Sequence, residues 1–227
     1  MPATRLTVST ACLQVWLLVA LGSALLLALP SEDRDPRTAG RLSLGLGVPS
    51  AQSFPKWTGM VRRVWARDEA WSEVCADRLG RPCGLRSWQA FLEGLRSETR
   101  WDQLSRVNRF VNAFRYRADR SNWGASDYWA APGEFFSVGG DCEDFAIAKY
   151  FSLKALGFPV ERMRIVVLND LVRRLPHAVL AVDVGPYALV LDSLDDEIRL
   201  WSELPHYRPI YTINEKSYAI ATGRRIT

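Results

Sequence analysis

The stretch Ser137-Val-Gly-Gly-Asp-Cys-Glu-Asp-Phe-Ala-Ile-Ala-Lys-Tyr150 decides how the rest of the chain is interpreted. Helical spacing relates Cys142, Phe145, Ala146, Lys149, Leu153 and Leu156, and Gly157 is a helix-stop signal. We expect the two glycines before it to form a mobile approach to this helix. The pattern places Cys142 in the first helical turn. Unpaired backbone N–H groups and the helix dipole there favour an anion, so the thiol is biased toward its nucleophilic thiolate form.

Three carboxylates around this cysteine oppose that bias. Asp141 precedes it, and Glu143 and Asp144 follow it. Unless a cation neutralises them, their charges disfavour a thiolate. An arbitrary cysteine is more often a buried structural residue, but acids on both sides do not make an apolar niche. Asp141 as a helix N-cap, with Asp144 three residues later, would explain two of the acids by capping alone.

The N-terminal region has the composition of an export signal. Arg5 is the only charged residue before Glu32, and Ala11 to Leu29 is almost wholly apolar. We assign residues 1–30 to a signal peptide or N-terminal membrane anchor, because the apolar run is also long enough to span a bilayer. Residues 31–53 mix Ser, Gly, Pro and charges and are predicted to be a linker.

Residues 54–227 are predicted to form one folded domain. The 227-residue chain has nine Trp, nine Phe and seven Tyr, enough for a real core. Its formal charge is +4, without a Lys/Arg block interleaved with aromatics. This charge pattern argues against a nucleic-acid partner.

The four cysteines fall into three groups. Cys12 lies in the predicted leader, whereas Cys75 and Cys83 flank a loop that contains a Gly and a Pro. In an oxidising compartment that pair could close a short disulfide. Cys142 is then an odd thiol, which marks it as a candidate reactive residue.

Helical patterns precede strand patterns along the predicted domain. Apolar residues at helical spacing predict helices over 57–74, over 85–95 with Ser87 as a candidate cap, and from 104 to about Tyr116. Residues 119–140 combine turn residues with large aromatics and are predicted to be a loop. Alternating patterns predict strands at Arg164–Leu168, Ala178–Val184, Tyr187–Leu191 and Pro209–Ile213. This order indicates an α+β domain with helices packed on an antiparallel sheet.

The chain has only two histidines that could serve as a base for the thiol, His177 and His206. A symmetric two-residue turn at Gly185-Pro186 would put Val179 opposite Asp192. His177 and Asp192 would then be diagonal neighbours on one face, within side-chain reach. A turn of odd length would place Asp192 on the other face. Taken singly, His177 is more simply a strand cap, Asp192 a turn residue and His206 a solvated loop residue.

The order Cys142, His177, Asp192 resembles the bacterial transglutaminase-like cysteine proteases, and most closely the LapG periplasmic protease family. The matching residues are Gly140-Asp-Cys-Glu-Asp-Phe-Ala-Ile-Ala-Lys-Tyr150, Trp123-Gly124, Asp127-Tyr-Trp-Ala-Ala-Pro132, Pro176-His-Ala-Val179 and Leu191-Asp192. The resemblance covers about Trp57 to Ile220. It implies a papain/transglutaminase-like α+β fold, with a cysteine-bearing helix packed on the sheet. One departure is Ala131, where the family pattern leads us to expect Thr.

The resemblance also assigns roles to residues. It makes Cys142 the nucleophile, His177 the base and Asp192 the group that orients the imidazole. The backbone N–H of Cys142 is a natural oxyanion donor, and Tyr128 and Trp129 are candidates for the second.

Members of this family depend on calcium. The resemblance therefore implies Ca²⁺ as the cofactor, with Asp141, Glu143 and Asp144 as metal ligands. Carboxylate oxygens are hard ligands of the kind that this ion prefers. Asp119, Asn122 and Asp127 are possible further ligands.

The function implied by the resemblance is that of a periplasmic endopeptidase, either released by cleavage of the leader or tethered to the inner membrane by an uncleaved one. Its expected substrate is the N-terminal region of a large surface adhesin, cut at a double-alanine site to release the adhesin and disperse a biofilm. The expected inhibitory partner is an inner-membrane receptor for cyclic di-GMP. Alternatives are a transglutaminase-like acyl transferase, a protease acting on another envelope protein, and a non-catalytic calcium-binding module that docks to a receptor.

Overall fold

A computed structural model describes residues 50–65 and 84–221. The predicted leader, Cys12, Cys75, Cys83 and the second half of the first predicted helix lie outside these ranges. The helices are α1 (Pro55–Trp65), α2 (Gly84–Leu95), α3 (Arg100–Asn112), α4 (Asp119–Asn122), α5 (Pro132–Val138) and α6 (Cys142–Ala155). The strands are β1 (Met163–Asp170), β2 (Leu175–Val184), β3 (Tyr187–Asp192), β4 (Asp195–Leu200), β5 (Tyr207–Ile213) and β6 (Tyr218–Ile220).

The six strands form one antiparallel sheet in the order β4-β3-β2-β1-β5-β6. One face contributes Ile165, Leu180 and Leu191 to the large core that also contains α6. The other face places Val179 and Val190 in a smaller cluster. The predicted α+β arrangement of helices on an antiparallel sheet is confirmed.

Helix α6 is the centre of the molecule. Every residue from Cys142 to Leu153 is buried, because the helix packs between the sheet on one side and α3 and α5 on the other. Gly157 follows the helix with φ +82°, as its stop signal predicts. A helix covered on all sides belongs to the core, so its residues are held on every face.

The β2–β3 hairpin has the predicted symmetric turn. Val184 pairs with Tyr187 and Leu180 with Leu191, which leaves Gly185 and Pro186 as the two turn residues. Gly185 has φ +59°, a conformation that glycine adopts without strain. The register prediction is therefore confirmed.

Several local predictions were incomplete or wrong. Ser87 lies inside α2 and does not precede it, and α3 ends at Asn112, short of Tyr116. The predicted loop over 119–140 contains α4 and α5. Strands β4 and β6 were not predicted, and both are edge strands. Strand β4 begins Asp-Asp-Glu, a charged edge that lacks the apolar alternation by which strands are recognised.

Within the described ranges, no helix has the length and apolar character needed to cross a membrane.

Candidate active site

The Gly139-Gly140 pair, which the sequence predicts to be a mobile approach, packs closely against its surroundings. Gly139 has φ +84°, and a Cβ atom there would lie 2.1 Å from the carbonyl oxygen of Arg115. A Cβ on Gly140 would lie 2.2 Å from Asp144 Oδ2. Arg117 also donates its N–H to the Gly140 carbonyl at 2.8 Å. Only glycines allow the chain to approach this closely, and the close approach sets where α6 begins.

Cys142 begins α6 and is buried. Among the described residues it is the one cysteine, and it forms no disulfide. Its Sγ donates to Glu143 Oε2 at 3.1 Å. This contact places a carboxylate oxygen directly against the thiol.

His177 and Asp192 form a buried pair. His177 Nε2 lies 2.8 Å from Asp192 Oδ1, so the predicted contact between these side chains is confirmed. The same oxygen accepts the Leu194 N–H at 3.0 Å, and Asp192 Oδ2 accepts the Tyr207 hydroxyl at 2.6 Å. Burial would raise the pKa of Asp192, but the bond and charge of His177, with those two further donors, lower it to about 2.

Tyr207 is a site residue that the sequence reading missed. Burial and the Asp192 charge raise the pKa of its hydroxyl, so it remains a hydrogen-bond donor. Its ring also packs edge-on against His177, with the centroids 5.9 Å apart. Strand β5 pairs with β1, and β1 pairs with β2. This strand order brings Tyr207 next to the His177–Asp192 pair. Because the contact joins distant segments, residue spacing in the sequence could not predict it.

Two asparagines of α3 hold the β3–β4 turn. Asn112 Nδ2 donates to the carbonyls of Asp192 at 3.0 Å and Asp195 at 3.1 Å. Asn108 Nδ2, one turn earlier, donates to the carbonyls of Asp195 at 2.9 Å and Asp196 at 3.1 Å. The turn that carries Asp192 is therefore anchored from the helical layer.

Buried acids gather around the start of α6. Two groups of residues have carboxylate oxygens within 4.8 Å of one another. One group is Asp119, Asp141 and Asp144, and the other is Asp119, Asp127 and Glu143. Asp119 Oδ1, Asp127 Oδ1 and Asp141 Oδ1 are buried and have no hydrogen-bond partner among the described residues. We call these five residues the acid cluster. Its composition and its orphaned oxygens fit a hard divalent cation such as Ca²⁺.

Burial and mutual repulsion disfavour charge in the acid cluster. Burial, together with the charges of Glu143 and Asp127, raises the pKa of Asp119 to about 7. Burial and the charge of Glu143 also raise the pKa values of Asp141 and Asp144. A bound cation would reverse both effects.

Asp144 has a clear structural role. Its Oδ1 accepts the Ala130 N–H at 2.7 Å, and its Oδ2 accepts the Asp141 N–H at 3.2 Å. It therefore caps the helix and ties it to the preceding loop. Asp119 and Asp127, which the sequence reading named only as possible further ligands, present free oxygens instead. Asn122 donates its amide to the Gly139 carbonyl at 3.1 Å and supports the glycine pair.

The second oxyanion donor is not the Tyr128 backbone or hydroxyl. The Tyr128 N–H donates to Asp119 Oδ2, and its hydroxyl donates to Glu134 Oε1 at 2.8 Å.

Ala131, where the family pattern leads us to expect Thr, affects the start of a helix. Ala131 precedes α5 and makes no side-chain cap bond, so the expected Thr would supply a cap that this chain lacks.

A buried cysteine begins the central helix, and this helix packs on a sheet that carries a hydrogen-bonded His–Asp pair. These features define the class of papain/transglutaminase-like cysteine hydrolases. A family model of bacterial transglutaminase-like cysteine proteinases matches residues 64–217. The chain therefore belongs to that family, and it is a cysteine proteinase of the LapG type.

Solved structures of Legionella pneumophila LapG are similar to this chain at 31% identity. One has a TM-score of 0.57 and covers 77% of this chain and 89% of that protein. An EGTA-treated form has a TM-score of 0.58, with 78% and 88% covered. A calcium-bound form has a TM-score of 0.57, with 78% and 90% covered. No curated protein sequence matches the chain.

Proposed function

We propose that this proteinase is a periplasmic, calcium-dependent endopeptidase that uses Cys142, His177 and Asp192 as its catalytic triad. The observation that carries the proposal is the 2.8 Å bond between His177 Nε2 and Asp192 Oδ1, on a sheet packed against the helix that begins at Cys142. In an enzyme of this kind a nucleophile needs a base, and the base needs an orienting group.

The triad divides the reaction into two steps. Because His177 Nε2 is bonded to Asp192, Nδ1 is the ring nitrogen that accepts the Cys142 thiol proton. The thiolate attacks the scissile carbonyl, and the departing amine takes the proton back from the imidazolium. Water then hydrolyses the thioester with His177 again acting as the base. Asp192 stays ionised throughout, as its pKa of about 2 requires.

Calcium would be held by Asp119, Asp127, Asp141 and Glu143. When bound, the ion supplies positive charge beside the nucleophile. Glu143, if held at the ion, would give up its contact with the Cys142 thiol, which is 3.1 Å in this structure. The three orphaned carboxylate oxygens and the similarity to a calcium-bound LapG support this assignment.

The proposed substrate is the N-terminal region of a large surface adhesin, cleaved at a double-alanine site so that the adhesin is released and the biofilm disperses. The proposed inhibitory partner is an inner-membrane cyclic di-GMP receptor. Family membership and the similarity to LapG support both.

The test is cleavage of purified adhesin N-terminal segments, with calcium or with EGTA. We expect cleavage with calcium and none with EGTA. Cys142→Ala should lose activity by on the order of 10⁶-fold. Ser137→Ala, on the preceding helix α5, is the matched control and should cleave at the wild-type rate. Unchanged cleavage by Cys142→Ala would contradict the proposal.

Mass spectrometry of the products separates hydrolysis from acyl transfer. A hydrolase leaves a free carboxylate at the new C-terminus, whereas an acyl transferase leaves an amide to an added amine. We expect the free carboxylate even when a primary amine is present.

A further inference from the structure

Lys149 lies in the interior of the protein, on α6. It is 0% exposed, and its Nζ has no hydrogen-bond partner among the described residues. Burial lowers its pKa to about 7, and the charges of Asp192 and Asp196 oppose that shift. The ammonium group is therefore close enough to the β3–β4 turn for its charge to interact with both acids.

A buried ammonium without a partner is costly. An apolar side chain of similar shape would avoid that desolvation penalty. Lys149 thus lowers the stability of the fold, and a loss of stability of this kind is typical of residues that serve a function.

Two acceptors without partners complement this donor. Asn108 Oδ1 and Asn112 Oδ1 are both buried and lack a hydrogen-bond partner within the described ranges. The amide nitrogens of the same side chains bind the β3–β4 turn. Helix α3 packs on α6. The two asparagines bind the same turn whose Asp192 and Asp196 charges act on Lys149, so all three side chains adjoin this turn.

We propose that Lys149 is a positioning residue that acts with Asn108 and Asn112, through interior water, to hold the β3–β4 turn and thereby orient the Asp192 carboxylate toward His177. The proposal rests on the proposed function, because it assigns the purpose of this arrangement to the Cys142–His177–Asp192 triad.

Interior water supplies the connection that the side chains lack. A buried water molecule typically makes about three hydrogen bonds to buried polar groups that would otherwise be unsatisfied. Here the ammonium offers donors and the two amide oxygens offer acceptors. Asn112 already binds the Asp192 carbonyl at 3.0 Å, so a fixed Asn112 fixes the backbone of Asp192.

The test is Lys149→Met, which keeps the shape of the side chain and removes its charge. The variant should fold, with a melting temperature equal to or above that of the wild type. Its kcat should nevertheless fall by on the order of 10²-fold, the cost of a displaced catalytic group, with KM unchanged. A purely structural lysine would give the reverse result, lower stability with kcat retained.

Lys154→Met is the matched control. Lys154 lies on the same helix but is partly exposed and pairs with Glu215. We expect its kcat to equal that of the wild type. A loss of kcat in the control as large as that in Lys149→Met would overturn the assignment.

A second readout reports geometry without turnover. In a Cys142→Ser background, the proton of the His177–Asp192 hydrogen bond can be followed by NMR. Lys149→Met should shift or broaden this resonance, and Lys154→Met should not. An unmoved resonance, or an unchanged kcat, overturns the proposal. If the wild-type chain proves not to cleave protein, the proposed function fails, and the resonance alone then decides the role of Lys149.

Discussion

Two groups of buried carboxylates at this site differ in how completely the protein satisfies them. Both oxygens of Asp192 accept hydrogen bonds, from His177, Leu194 and Tyr207. In the acid cluster, Asp119, Asp127 and Asp141 each retain a buried oxygen without a donor. The pKa values move in opposite directions, to about 2 for Asp192 and to about 7 for Asp119.

The contrast separates carboxylates that protein donors satisfy from carboxylates for which we propose a cation. The hydrogen bonding of Asp192 is complete without an added ion, because protein donors compensate for its burial. In the acid cluster, burial and mutual repulsion disfavour charge, and the Lys56 ammonium that pairs with Asp127 offsets only part of this effect. The His177–Asp192 pair and the acid cluster should therefore respond differently to mutation, chelation and pH.

The largest effect is expected from Asp192→Asn. The amide occupies the same space but no longer selects the correct imidazole tautomer, so kcat should fall by on the order of 10⁴-fold. Calcium affinity, measured by titration calorimetry, should not change. Asp183→Asn is the control, because Asp183 pairs with Arg164 at the other end of the sheet. A loss of calcium binding in Asp192→Asn would show that the two groups are not independent.

Asp119→Asn tests the acid cluster. An amide oxygen can still accept the Tyr128 N–H, but the buried charge is gone. Loss of a residue that only supports a metal ligand lowers metal affinity by about 10- to 100-fold. Loss of a direct ligand should lower calcium affinity at least as much. The metal-free variant should melt at a higher temperature than the metal-free wild type. Unchanged calcium affinity would exclude Asp119 as a ligand.

Tyr207→Phe removes one donor from Asp192 and leaves its ring packing intact. A hydrogen bond to a charged group contributes about 1.5–3 kcal/mol. We expect kcat to fall by about 10-fold or more, with calcium affinity retained. Tyr211→Phe on the same strand is the matched control and should keep wild-type kcat. Equal kcat values for the two variants would mean that Asp192 does not need the Tyr207 hydroxyl.

The smallest effect is expected in the pH dependence of stability. A carboxyl group whose pKa is raised by folding contributes stability that is present below its unfolded value, near 3.8, and lost as pH rises through about 7. In EGTA, the melting temperature should therefore fall from pH 5 to pH 8, by about 2–4 °C per kcal/mol.

Calcium should remove or reverse this trend, because it binds the ionised carboxylates. Asp192 works in the opposite sense, since its contribution is lost only as pH falls from about 4 toward about 2. A melting temperature that is independent of pH in EGTA would contradict the electrostatic picture of the acid cluster.

Some of this arrangement was accessible from the sequence because it depends on neighbours along the chain. The start of α6 at Cys142 follows from the acidic and glycine residues before it. The approach of His177 to Asp192 follows from one two-residue turn, since strand pairing then fixes which residues face each other. Both predictions rest on local spacing, and both are confirmed.

The remaining residues were assembled by tertiary packing. Tyr207 reaches Asp192 only because β5 lies beside β1, and Asn108 and Asn112 reach the β3–β4 turn only because α3 packs over it. The sequence also assigned Asp144 to the metal. Its hydrogen bonds give it a capping role as well, and it lies in a group of carboxylates that could hold an ion.

The sequence by itself determined the class of chemistry, with a cysteine at a helix start, one suitably placed histidine and an aspartate across a tight hairpin. The tertiary structure alone decided which carboxylates are satisfied and which keep a buried oxygen without a donor. Whether a buried oxygen has a donor depends on backbone N–H groups and side chains from distant segments, as with Tyr128 at Asp119 and Tyr207 at Asp192. Burial and hydrogen bonding set the charge of an acid, and both are properties of the assembled fold.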